Sequence, residues 1–126
     1  MKVITIKEPY VTPIMLGMKH YETRSWKTNY RGEIYIHTAK TLLPNDVTVV
    51  PRLPLGCIVL KARLTDCIYM DDEFVNAIKA NETEYKLGFY EVGRYAWKLE
   101  NVKVIDPPIK AKGKLGIWTW QDGNMN

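Results

Sequence analysis

Cys57-Ile58-Val59-Leu60-Lys61-Ala62-Arg63-Leu64-Thr65-Asp66-Cys67 is the stretch that decides the fold class. Beyond Gly56, Ile58, Leu60, Ala62 and Leu64 alternate with Val59, Lys61 and Arg63. Successive side chains of a strand point to opposite faces, so the first set is expected to face a core and the second to face water. The same reading, carried outward, finds strands over Val3 to Lys7, Tyr21 to Trp26, Glu33 to His37, Tyr95 towards Ile105, and Gly116 to Trp120. Ile34 and Ile36 mark a core face, with Glu33, Tyr35 and His37 opposite them. Pro107-Pro108 is expected to end the strand that begins at Tyr95, because proline has no N–H to give a ladder.

Helical signals are fewer. Glu8 to Gly17 carries proline near its start and glycine at its end, the pattern of a short helix, with Pro13 making it irregular. Asp71 to Lys79 has acids at its front and apolar residues at Phe74, Ala77 and Ile78, as a surface helix does. Pro44, Pro51 and Pro54 leave room for only a helical turn between Thr41 and Leu55, and the segment through Gly88 and Gly93 reads as loop. Many short strands with few helices imply a mainly β chain with flanking helices, of α+β class. The expected architecture is a curled sheet or small β-barrel of five to six strands with two or three short helices. With no repeat, linker or low-complexity tract, residues 1–120 are expected to form one domain and 121–126 a frayed tail.

The chain has 126 residues, 46% of them hydrophobic and 25% charged, so one core serves the whole of it. No apolar run approaches the roughly 18 to 20 residues that span a bilayer. Met1-Lys2-Val3-Ile4-Thr5-Ile6 alternates like a strand and lacks a signal peptide's apolar stretch, so the expected location is the cytoplasm, with no membrane partner. Lys and Arg number 18 against 14 Asp and Glu, a net charge of +4 that favours polyanions mildly. A straight strand from Cys57 to Cys67 would hold the two sulfurs roughly 30 Å apart, so both are expected as buried free thiols. His20 and His37 are the only histidines, in no ligand spacing, so no metal site and no cofactor are expected.

Gly17-Met18-Lys19-His20-Tyr21-Glu22-Thr23-Arg24-Ser25-Trp26 carries the chemistry. The glycine permits a sharp exit from a helix, and Glu22, Arg24 and Trp26 then share one strand face while Thr23 takes the other. A cation, an acid and a forked donor converge. Lys19 has three competing roles: a base or nucleophile if burial lowers its pKa, a cation for an anion, or half of an ion pair with Glu22. Arg24 suits a phosphate or a base edge. Tyr30-Arg31-Gly32 puts an aromatic ring and a cation on one loop, a pair that can stack on a base and hold its phosphate, or simply make a turn. Lys110, Lys112 and Lys114 recur at every second position, either lining an edge for a nucleic-acid backbone or merely solvated. Trp97, Trp118 and Trp120 are placed to pack, and His37 is expected to be structural.

The pattern G-x-K-x-x-E-x-R resembles the signature of the ASCH domain family, the PUA-like domains related to activating signal cointegrator-1. Ile4 to Tyr10, Thr28 to His37, Gly93 to Leu99 and Gly113 to Trp118 are similar to further segments of that family, so the resemblance runs along nearly the whole chain. It implies a PUA-like barrel of the small stand-alone bacterial or phage type, with a cleft beside the motif that binds RNA or a modified nucleoside or nucleotide. Its expected contacts are Lys19, Glu22, Arg24, Trp26, Tyr30 and Arg31. Some small relatives are amidohydrolases that remove the acyl group of N4-acetylcytidine with a lysine, a threonine and a glutamate, and ribonuclease activity occurs in another. The resemblance therefore also implies Lys19 and Glu22 as candidate catalytic residues, although Glu22 stands where those enzymes have threonine. Glu73 and Glu91 are the candidate further carboxylates, and a protein partner engaging Phe74 is the remaining alternative.

Overall fold

The alternating segments become strands in this computed structural model, which describes residues 1–43 and 49–121. In chain order the elements are β1 (Lys2–Ile6), α1 (Thr12–Met15), β2 (Tyr21–Arg24), β3 (Gly32–Thr38), β4 (Cys57–Tyr69), α2 (Asp72–Lys79), α3 (Glu82–Lys86), β5 (Tyr95–Lys110) and β6 (Ile117–Thr119). The six strands form one curled, mixed sheet, a half-barrel in the order β2-β5-β4-β3-β1-β6. Only β1 and β3 run parallel; the other neighbours are antiparallel. The mainly β reading of the sequence therefore holds, with six strands and three short helices among the described residues.

Ile34 and Ile36 are fully buried, as their alternation requires, beside Leu60, Ala62 and Leu64 of the next strand. The strict in-and-out reading of β4 fails at its start. Ile58, Val59 and Leu60 are all buried, because the register with β5 shifts between Ile58 and Leu60. A bulge of this kind turns successive side chains to faces that alternation would separate. Ile58 consequently joins Val3 and Trp118 in a small cluster of its own, while Val59 and Leu60 belong to the main core. Both cysteines are free; Cys57 is buried and Cys67 is half-buried.

Other boundaries moved for local reasons. The strand expected to stop at Pro107-Pro108 continues to Lys110. Both prolines fall in that same register shift, where the ladder is interrupted and makes no demand on their missing N–H groups. The strand expected to reach Trp26 ends at Arg24, and the helix expected over Glu8 to Gly17 is reduced to one turn. Asn81 caps α3, in the segment read as loop: its Oδ1 accepts Glu84 N at 3.2 Å. The expected tail beyond Gln121 and part of the connection expected to hold a helical turn, residues 44–48, lie outside the described residues.

Glu8 is fully buried and organises the entry to α1. Its Oε1 accepts Val11 N at 2.9 Å and Thr12 N at 2.8 Å, and its Oε2 accepts Thr12 Oγ1 at 2.5 Å. Removing the carboxylate strands two buried N–H groups. Glu8→Ala is therefore expected to cost about 3 kcal/mol in chemical denaturation, with Glu8→Gln markedly milder because one oxygen still accepts. Equal loss in both variants would show that the charge, not the acceptor, holds the turn.

Candidate functional site

Lys19 leaves the turn after α1 and points inward, with 3% of its surface exposed. Gly17, at φ +76°, makes that turn in the left-handed region open to glycine. The Lys19 Nζ donates to the Leu87 carbonyl at 2.6 Å and lies 3.9 Å from Glu22 Oε1. Burial holds its pKa below the ordinary 10.5, opposed by the charges of Glu22 and Glu84. Glu22 turns its second oxygen to Arg24, 3.0 Å from Nε. That N–H does not point along the contact and has no hydrogen-bond partner. Arg24 is committed elsewhere: Nη2 donates to the Thr5 carbonyl at 2.9 Å, tying the edge strand β2 to β1 on the far side of the sheet.

These side chains sit in a cavity of about 680 Å³, a volume within the roughly 300–1,000 Å³ typical of small-ligand sites. Lys19, Glu22, Arg24 and Trp26 all line it. Trp26 lies past the end of β2, where its ring meets Trp97 edge-on at 4.7 Å between centroids and its carbonyl accepts Trp97 Nε1 at 3.3 Å. Tyr30 and Arg31 are not brought there. The Tyr30 hydroxyl donates to the Glu33 carbonyl, and Arg31 Nη1 donates to the Thr28 and Tyr30 carbonyls at 3.0 and 2.9 Å. Their loop is a braced turn at the other end of β2's connection to β3.

Three further parts of the wall come from other connections. Lys7 and Tyr10 follow β1; Phe89 and Arg94 precede β5; Lys114 and Leu115 precede β6. Arg94 stacks on Phe89, its guanidinium 4.2 Å from the ring centroid, and its Nε donates to the Phe89 carbonyl at 3.0 Å. Thr23, expected on the far face from Glu22, also reaches the wall, because residues 87–89 fold across that face and Phe89 N donates to Thr23 Oγ1 at 3.1 Å. The segments whose family likeness was legible, Lys7 to Tyr10, Gly93-Arg94 and Gly113 to Gly116, thus converge here; that likeness was the signal for these residues.

Glu73 and Glu91 are exposed and do not line the cavity. The buried acid beside the motif is Glu84 of α3, 2% exposed. It accepts the His20 backbone N–H at 3.0 Å, meets His20 Nδ1 at 2.7 Å, and accepts the Tyr90 hydroxyl at 3.1 Å. Burial, with the Glu84 charge next, pushes the Tyr90 hydroxyl well above its ordinary pKa. Asn81-Glu82-Thr83-Glu84 has the capping-box spacing, the one sequence cue to α3. Among the described residues no group of three or more His, Cys, Asp or Glu side chains is arranged to hold a metal.

Among the described residues that line this space five are basic, Lys7, Lys19, Arg24, Arg94 and Lys114, and one is acidic, Glu22. That formal surplus equals the whole chain's net charge of +4, so the rest of the molecule is balanced. The six-stranded half-barrel with its three short helices is consistent with a PUA-like α+β fold. Residues 4–109 match the family model of the ASCH domain, and the chain belongs to that family. A search of curated proteins finds no match.

Behind the pocket, His37 is 1% exposed. Its Nε2 faces the Ala111 carbonyl at 2.7 Å and so carries the proton; Nδ1 accepts from Thr5 Oγ1 at 3.2 Å. Burial holds its pKa below 6.5. The folded state thus binds this proton less readily than the unfolded chain, and the His37 contribution is complete above about pH 6.5 and lost as the pH falls below it. The difference in melting temperature between wild type and His37→Gln is expected to narrow from pH 7 to pH 5. A constant difference would refute a neutral buried imidazole.

Proposed function

We propose that this ASCH domain is a cytoplasmic recognition module whose cavity takes a nucleotide, free or within RNA. The observation that supports this is the concentration of the chain's entire basic surplus around one cavity that also exposes Trp26 and Phe89. Basic groups supply affinity for phosphate, and aromatic faces supply stacking for a base. Within the pocket Glu22 is the sole carboxylate among the described lining residues, and so the acceptor for an amino group on the base. Lys19 and Arg24 flank it as donors, which gives the floor a donor–acceptor–donor order suited to reading a base edge.

A second reading draws on Lys19 itself. An amine whose pKa burial depresses has more of its lone pair free at neutral pH, as a general base or nucleophile requires. With Thr23 also among the lining residues, the groups suit removal of an acyl group from an N4-acylated cytidine, and suit phosphodiester cleavage less well, since no histidine lines the cavity.

The deciding experiment uses Lys19→Met, which keeps the side chain's bulk and removes an amine that is costly to bury. Its thermal stability is expected to match or exceed that of wild type. Calorimetric titration with nucleoside monophosphates and short RNA at low salt is expected to show binding to wild type, weakened at least tenfold in the variant and by added salt. Wild-type protein that binds neither would sink the recognition reading. Release of cytidine from N4-acetylcytidine by wild type but not by Lys19→Met would establish the hydrolytic one.

A further inference from the structure

Lys110, Lys112 and Lys114 are exposed, while Ala111 and Gly113 between them turn inward. This alternation is fixed from the inner side. Ala111 N donates to the Gly56 carbonyl at 3.2 Å, and the Ala111 carbonyl accepts His37 Nε2 at 2.7 Å. Gly113 lies so close to the same ring that a Cβ there would stand 2.9 Å from His37 Cε1 and 3.1 Å from Thr5 Oγ1. Thr5 Oγ1 also accepts Trp118 Nε1 at 3.0 Å, which anchors the network to β6. A chain of partly buried hydrogen bonds thus pins the end of β5 and the connection that follows it, with the side chains of Lys110, Lys112 and Lys114 outward.

Alternate positions on an extended backbone are separated by about 6.6 Å, a spacing comparable to that of successive phosphates along a single strand. Among the described residues none of the three lysines makes an ion pair, whereas Lys61 is 3.4 Å from Glu33 and Arg31 is 3.9 Å from Asp66. The row also has a direction: Lys114 belongs to the cavity wall, and Lys112 and Lys110 lead away from it. Lys40 adds to the basic character there, its charge acting on His37.

Resting on the nucleotide reading of the cavity, we propose that the ligand is a single-stranded oligonucleotide. One of its bases enters the cavity, and its backbone leaves across Lys114, Lys112 and Lys110. The division of labour is physical. Lysines are compact charges on flexible stems, which follow a backbone without demanding a sequence. The cavity, lined by Trp26, Phe89 and the motif side chains, accepts a base only once it is free of a duplex stack.

Calorimetric titration with 5′-phosphorylated mono-, di-, tetra- and octaribonucleotides over a salt series tests this, using wild type, the double variant Lys110→Ala with Lys112→Ala, and Lys19→Met. Wild-type affinity is expected to rise from the mononucleotide to the tetranucleotide and then level off. The double variant, altered only at exposed positions, is expected to bind the mononucleotide as wild type does and to lose the gain with length. Its slope of log affinity against log salt for the tetranucleotide should fall by about 1.4, at about 0.7 per amine for a single strand. Equal wild-type affinity for mono- and tetranucleotide, or an undiminished gain with length in the double variant, would overturn the proposal while leaving the cavity reading intact, provided Lys19→Met still weakens the mononucleotide. Tripolyphosphate displacing the tetranucleotide as effectively as unlabelled RNA would also overturn it, because the amines would then need no base. Absence of all nucleotide binding would overturn the cavity reading along with it.

Discussion

The hydrogen bond from Arg24 Nη2 to the Thr5 carbonyl, 2.9 Å long, spans the opening of the half-barrel. β2 lies at one edge of the sheet, and β1 is separated from it in the ladder by β5, β4 and β3. Main-chain pairing therefore does not join them; the curl of the sheet brings them near, and a guanidinium crosses the gap. Because Arg24 is pulled across, its Nε comes to rest beside Glu22, and Glu22 in turn faces Lys19. The opening that would have been a seam becomes the lined cavity. Arg24 thus both bridges the strands and lines the cavity, which makes Lys19 the cleaner probe of the proposed function.

Lys19 is an expensive residue in its position. Moving an ammonium from water to a site with 3% exposure carries a desolvation penalty that one carbonyl contact and a carboxylate at 3.9 Å offset only in part. An apolar side chain of the same size would fit the stability of the fold as well or better. Polar ties behind the amine hold it in that placement. Glu84 grips the His20 backbone next to Lys19, while Leu87, just beyond α3, supplies the carbonyl. Phe89, two residues further, is held to Thr23. One short segment therefore positions the motif from behind and supplies an exposed ring in front.

Much of this was legible locally. Alternation placed the core of β3 at Ile34 and Ile36, and the spacing from Gly17 to Arg24 announced that a cation, an acid and a guanidinium would meet. The place of Thr23 in the cavity lining was missed because periodicity describes one strand alone, whereas a segment from 64 residues away folds over its second face. Tyr30 and Arg31 had the right residue types for stacking and phosphate binding, yet nearby main-chain carbonyls satisfy them first. Glu84 was passed over because its helix is only five residues long, too short to show a hydrophobic period.

By itself the sequence determined the strands, the mainly β class, the motif and its turn, since each depends on side-chain types a few residues apart and on glycine's access to the left-handed region. The tertiary structure decided which charges share a space. Arg94 and Lys114 are remote from the motif in sequence, and with Lys7 they become its neighbours only when the sheet curls and Arg24 bridges β2 to β1. Electrostatic potential depends on distance through space, so a net charge of +4 spread along a chain says little. Gathered around one cavity, the same charge acts on one space.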